Sequence, residues 1–100
     1  MAFWIKATAD KPEVVTPANG KIFTLAEMQK YVGGYIEALH LNNGLIMWLN
    51  EEGKLKGLPY NIAASYIALS HSRMHRSDRI VGDVLLAARE ETEDDKEEEN

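Results

Sequence analysis

His71 and His75 stand four residues apart, a spacing that brings two imidazoles to one face of a helix, as a two-histidine metal site requires. The glutamate that completes the metalloprotease form of that motif is missing, because Ser72 and Arg73 follow His71. Arg73 and Arg76 also oppose a divalent cation, so no metal site is expected. Glu51 and Glu52 are adjacent carboxylates with Glu37 upstream, and paired carboxylates serve as acid and base when their environments differ. In an Asn-Glu-Glu-Gly turn they are more simply solvated. Ser65, Ser70, Ser72 and Ser77 lack a nucleophile-elbow context. Gly33-Gly34 lacks the spacing of a phosphate-binding loop. The chain has no cysteine, which removes disulfides, thiolate ligands and a cysteine nucleophile. These residues nominate no catalytic group and no cofactor, and a non-enzymatic protein is expected.

Arg73, Arg76 and Arg79 form the one basic cluster, and guanidinium donors match phosphate oxygens. A small phosphate-bearing ligand or an acidic partner needs no more charge than this. Nucleic acid, the alternative reading, usually asks for a wider basic surface with stacking aromatics. The overall charge of −5 conceals a division. Residues 90–100 hold eight acids and one lysine, or −7, and residues 1–89 hold eight acids and ten bases, or +2. The segment from Glu90 to Asn100 has no apolar side chain to offset the entropy of ordering, so a disordered acidic tail is expected over 90–100. Residues 1–89 have the size of one domain.

Several elements must position these groups. Phe3, Ile5 and Ala7 alternate with Trp4, Lys6 and Thr8, which reads as a strand. Val14–Thr16 is a second short strand, stopped by Pro17 and Asn19-Gly20. Thr24-Leu25-Ala26-Glu27 is a capping box, and Phe23 and Met28 occupy the staple positions around it. The helix that follows is expected to stop at Gly33-Gly34 in the left-handed region. Tyr35–Leu41 and Leu45–Leu49 flank Asn43-Gly44, a strong hairpin signal. Gly53 lies in a second turn, after which Leu55 is expected to open a short strand. Asn61 suits the N-cap of a second helix from Ile62 to about Ser72. That helix carries a stripe of Ile62, Tyr66 and Leu69 and a second, small-residue stripe of Ala64 and Ala68. Ile80–Ala88 reads as a largely buried strand. The expected fold is α+β: a mostly antiparallel sheet of about four to six strands with two helices packed on one side. The many large aromatics, Trp4, Trp48, Tyr31, Tyr35, Tyr60 and Tyr66, raise the expectation of a homo-oligomer. No apolar run reaches the ~20 residues of a membrane span, so no membrane association is expected.

One pattern of residues resembles a known family. Leu25, Met28-Gln29, Val32-Gly33-Gly34-Tyr35-Ile36-Glu37, Asn50-Glu51-Glu52-Gly53-Lys54, Leu58-Pro59-Tyr60-Asn61 and Ile80-Val81-Gly82-Asp83-Val84 together resemble domain-of-unknown-function family 3846. The resemblance covers roughly Phe3 to Ala88 and leaves out the acidic tail and the His–Arg segment. It implies a small protein of bacteriophages, plasmids or conjugative elements, acting in the cytoplasm of a bacterial host. It supplies no catalytic residue. It implies an accessory protein that binds a host protein, such as a defence component, or a small phosphate-bearing signal. The candidate binding residues are Tyr35, Glu37, Asn50, Glu51, Asn61, Arg73, Arg76 and Arg79. Thr24, Glu27, Gly33, Gly34, Gly44, Gly53 and Gly82 are assigned to structure.

Overall fold

The computed structural model describes residues 1–71 and 78–92. Five strands and two α-helices follow the order β1 (Ala2–Ile5), β2 (Glu13–Val15), α1 (Leu25–Val32), β3 (Ile36–His40), β4 (Leu45–Asn50), α2 (Ile62–Ser70) and β5 (Val84–Ala88). They make one antiparallel sheet in the order β2-β1-β5-β4-β3, the expected α+β fold. The last strand therefore sits at the centre, between two pairs of strands that are each adjacent in sequence.

The helices lie on opposite faces of the sheet, which corrects the expectation that both cover one side. Side chains alternate across each strand. Ile46 and Trp48 of β4 and Leu85 and Ala87 of β5 pack with Met28 and Val32 of α1 and with Phe23. Met47 of β4 and Val84 and Leu86 of β5 pack on the other face with Ala64 and Ala68 of α2 and with Ile80. A strand covered on both faces needs apolar residues at every position, so Leu45–Leu49 and Val84–Ala88 are unbroken apolar runs.

Local chemistry sets the helix ends. The Thr24 hydroxyl accepts from the Glu27 amide at 3.2 Å, and the Glu27 carboxylate accepts from the Thr24 amide at 2.9 Å, closing the capping box. The left-handed stop of α1 falls on Gly33 alone, with φ +81°. Gly34 does not share it; its hydrogen side chain makes room for Asn50, whose Nδ2 would lie 2.9 Å from an added Cβ. Gly44, with φ +84°, turns the β3–β4 hairpin as expected.

Three segments differ from the sequence reading. Leu55 lies in the turn region 51–57 and is exposed, so no strand begins there. Ile80–Val81 is separated from β5 by Gly82, whose φ of +79° breaks the extended chain; Val81 forms only an isolated bridge with Tyr60. Residues 90–92 belong to the packed body rather than to a tail. The Phe23 amide donates to the Glu91 carbonyl at 2.7 Å, and Thr92 is buried. The remainder of the acidic segment lies outside the described residues. Among the described residues no helix is long and apolar enough to cross a membrane.

Candidate functional site

The β3–β4 hairpin ends, opposite its Asn43-Gly44 turn, at Ile36 and Asn50. Asn50 is buried and uses both ends of its amide. Its Nδ2 donates to the Val32 carbonyl at the end of α1, and its Oδ1 accepts from the Glu52 amide at 2.8 Å. The chain is thereby turned sharply, and the Glu51 amide donates to the Tyr35 carbonyl at 2.9 Å. Gly53 then passes so close to the 80–82 segment that an added Cβ would lie 2.9 Å from a Val81 methyl. This turn folds residues 51–58 against that segment.

The segment itself is latched to the start of α2. The Ile80 amide donates to the Ser65 hydroxyl at 2.7 Å, and the Ile80 carbonyl accepts from the Asn61 amide at 2.8 Å. Asn61, almost fully buried, caps α2 by accepting from the Ala64 amide and donates to the carbonyls of Ile5 and Gly82. Its side-chain amide is spent on the fold.

Between the hairpin, the turn and the latched segment lies a cavity of ≈ 280 Å³. Its walls are Leu39 and Leu49 from the α2 face of the hairpin, Leu55, Ile80 and Val81. Its charged members are Glu37, Glu51, Lys54, Asp78 and Arg79. Lys54 forms an ion pair with Asp78, which also accepts from the Arg79 amide at 2.8 Å. The Arg79 guanidinium lies 6.0 Å from the Tyr60 ring centroid, a cation–π approach. A second hollow of ≈ 420 Å³ on that side is lined by Gly57, Leu58 and Tyr60 and shares Lys54, Asp78, Arg79 and Val81 with the first. The two hollows thus meet along the Lys54–Asp78 pair.

Of the residues nominated from sequence, Glu37, Asn50, Glu51 and Arg79 line this cavity, although residues 37 and 79 are far apart in the chain. Asn50 is there through its position, with its amide already engaged. Tyr35 stands apart, exposed beside a smaller hollow of ≈ 170 Å³ with Gln29, Gly34 and Lys56. Arg73, Arg76 and His75 lie outside the described residues. His71 caps the end of α2, with its Nδ1 2.6 Å from Asn42 Oδ1. Among the described residues no group of three metal-ligating side chains gathers. Lys54, Asp78 and the apolar wall were not singled out from sequence. Nothing local marks them, since they are brought together by long-range contacts such as the Tyr60–Val81 bridge and the Ser65 latch.

Comparison with known proteins finds no match among curated proteins and none among solved structures. A family model described as "Domain of unknown function (DUF3846)" matches residues 2–99. That span takes in the acidic segment and the His–Arg segment, both of which the sequence pattern had left outside the family. With nearly the whole chain matched, the protein belongs to this family.

Proposed function

We propose that the protein works by binding a protein partner rather than by catalysis, and that the cavity beside the β3–β4 hairpin receives it. The observation that carries this reading is the convergence of Glu37, Glu51, Lys54, Asp78 and Arg79 on one hollow with an apolar wall. Apolar walls with a few placed polar groups are the usual chemistry of a recognition site. Here three carboxylates stand against two cations, and one cation is already paired with Asp78. Such a balance opposes a multiply charged phosphate and suits the mixed side chains of a polypeptide. A single anionic group has one natural seat, the Arg79 guanidinium beside Tyr60. A small phosphate-bearing ligand is the competing reading, and it rests on that same arginine. The resemblance to proteins of mobile elements favours a partner from the bacterial host.

The test is capture from a bacterial host lysate by the full chain and by Glu37→Lys and Arg79→Glu. Both side chains are exposed, so the variants should fold. Mass spectrometry scores retained proteins and nucleotides together. A protein retained by the unaltered chain and reduced roughly tenfold or more by either variant is the expected result. Equal retention by all three chains, or retention of a nucleotide in place of a protein, overturns the reading.

A further inference from the structure

Helix α2 is turned inside out. Its small side chains, Ala64 and Ala68, are fully buried against the sheet. Its large ones point to water: Ile62 is 69% exposed, Tyr66 73% and Leu69 40%. These three follow the spacing i, i+4, i+7 and make one continuous stripe. No charged residue occurs between Asn61 and Ser70. A helix that is apolar around its circumference is normally covered on every side, and among the described residues this one is covered on only one. The stripe is on the order of 400 Å², within the range of patches that mark interaction sites on monomers.

We infer that this stripe is the interface between two copies of the chain, paired through antiparallel α2 helices about a two-fold axis near Tyr66. The stripe reads nearly the same in both directions, with an aliphatic residue one turn on either side of a central tyrosine. An isologous contact therefore sets Ile62 against the partner's Leu69 and brings the two tyrosines together. Each chain carries a net charge of −5, and a helix without charge is a place where two such chains can meet without opposing like charges. Other occupants fit less well. Residues 93–100 carry no apolar side chain to lay on the stripe. An anionic bilayer would repel the chain, and the helix has no lysine or arginine to hold one. The apolar area is about half of the ~800 Å² that each partner contributes to a standard interface, so a weak dimer that forms only as concentration rises is expected.

Sedimentation equilibrium of the full chain, from ~1 to ~500 µM, is expected to show a monomer–dimer transition. Tyr66→Glu places two carboxylates across the axis and should raise the dissociation constant roughly 30-fold or more. Ile62→Glu should do the same, and an acid in the first helical turn favours the helix, so its loss of pairing would not reflect unfolding. The chain has no cysteine. Tyr66→Cys should therefore give a disulfide-linked dimer on mild oxidation, and Val14→Cys, on the distant strand β2, should not. A single-chain mass across the whole range overturns the inference. So does a dimer that both glutamate variants leave intact, or one that Tyr66→Cys fails to cross-link.

Discussion

Asn61 and Glu27 show how far one side chain reaches. Removing the Asn61 amide leaves the Ala64 amide uncapped and two buried carbonyls, Ile5 and Gly82, without their donor. A lost cap costs ~0.5–2 kcal/mol, and each buried group left unpaired costs ~1–3 kcal/mol. Asn61→Ala should therefore lower the chemical-denaturation midpoint far more than Thr24→Ala, which loses a cap alone. An Asn61→Ala chain of unchanged stability would return Asn61 to the binding candidates. Glu27 supplies a pH dependence. Backbone donation from Thr24, then from Ala18, holds its pKa below the ordinary carboxylate value. The folded state therefore binds this proton less readily than the unfolded one. Its contribution is present above the ordinary carboxylate range and lost as pH falls through the lowered value. Glu27→Gln keeps the acceptor and removes the charge. Urea midpoints of the two chains should differ near pH 7 and converge as the pH falls below the ordinary carboxylate range and through the lowered value. A difference that stays constant would show that the carboxylate charge contributes nothing. The capping box was legible in the sequence because its partners are three residues apart. The role of Asn61 was only half legible: its cap is local, but its other contacts lie 56 and 21 residues away.

At the scale of elements, α2 is the instructive case. Periodicity identified both of its stripes and gave no ground for deciding which one meets the sheet. The decision is steric: Ile5, Met47, Val84 and Leu86 fill that face of the sheet, and only alanine lets the helix backbone come close. Ala68→Leu should overpack this contact and cost ~1–3 kcal/mol. Leu69→Ala, its neighbour on the water side, should change the stability of the monomer by less than ~0.5 kcal/mol. Thermal unfolding at low concentration, below any pairing, distinguishes the two. If Leu69→Ala proves the more damaging, the orientation of α2 is wrong. The β3–β4 hairpin and α1 were legible because their turns and caps are local signals. The break at Gly82 was not, since Ile80–Ala88 is apolar enough to read as one strand, and only the positive φ divides it. The cavity was legible in part. Glu37, Glu51 and Arg79 were nominated by residue type, but no spacing rule links Lys54 to Asp78.

For the whole molecule, charge and topology act separately. Residues 93–100 hold six acids and one lysine, so a chain ending at Thr92 has no net charge. Packing that reaches Thr92 should survive the cut, leaving the melting temperature within about 2 °C of the full chain. Solubility near neutral pH should fall, because net charge keeps chains apart. Light scattering against concentration measures this, and unchanged scattering would mean that the acidic segment is not what keeps the protein dispersed.

The central position of β5 also orders events in time. Translation delivers β1, β2, β3 and β4 before the strand that joins them, so both hairpins emerge with an inner edge unpaired. Until Val84–Ala88 arrives, the edges of β1 and β4 are open templates for pairing with another chain. Folding is then closed by an insertion, in which one late strand completes both halves at once. Nascent chains halted before Val84 should be digested rapidly by protease, and those extended beyond Thr92 should resist, with no protected half-domain between them.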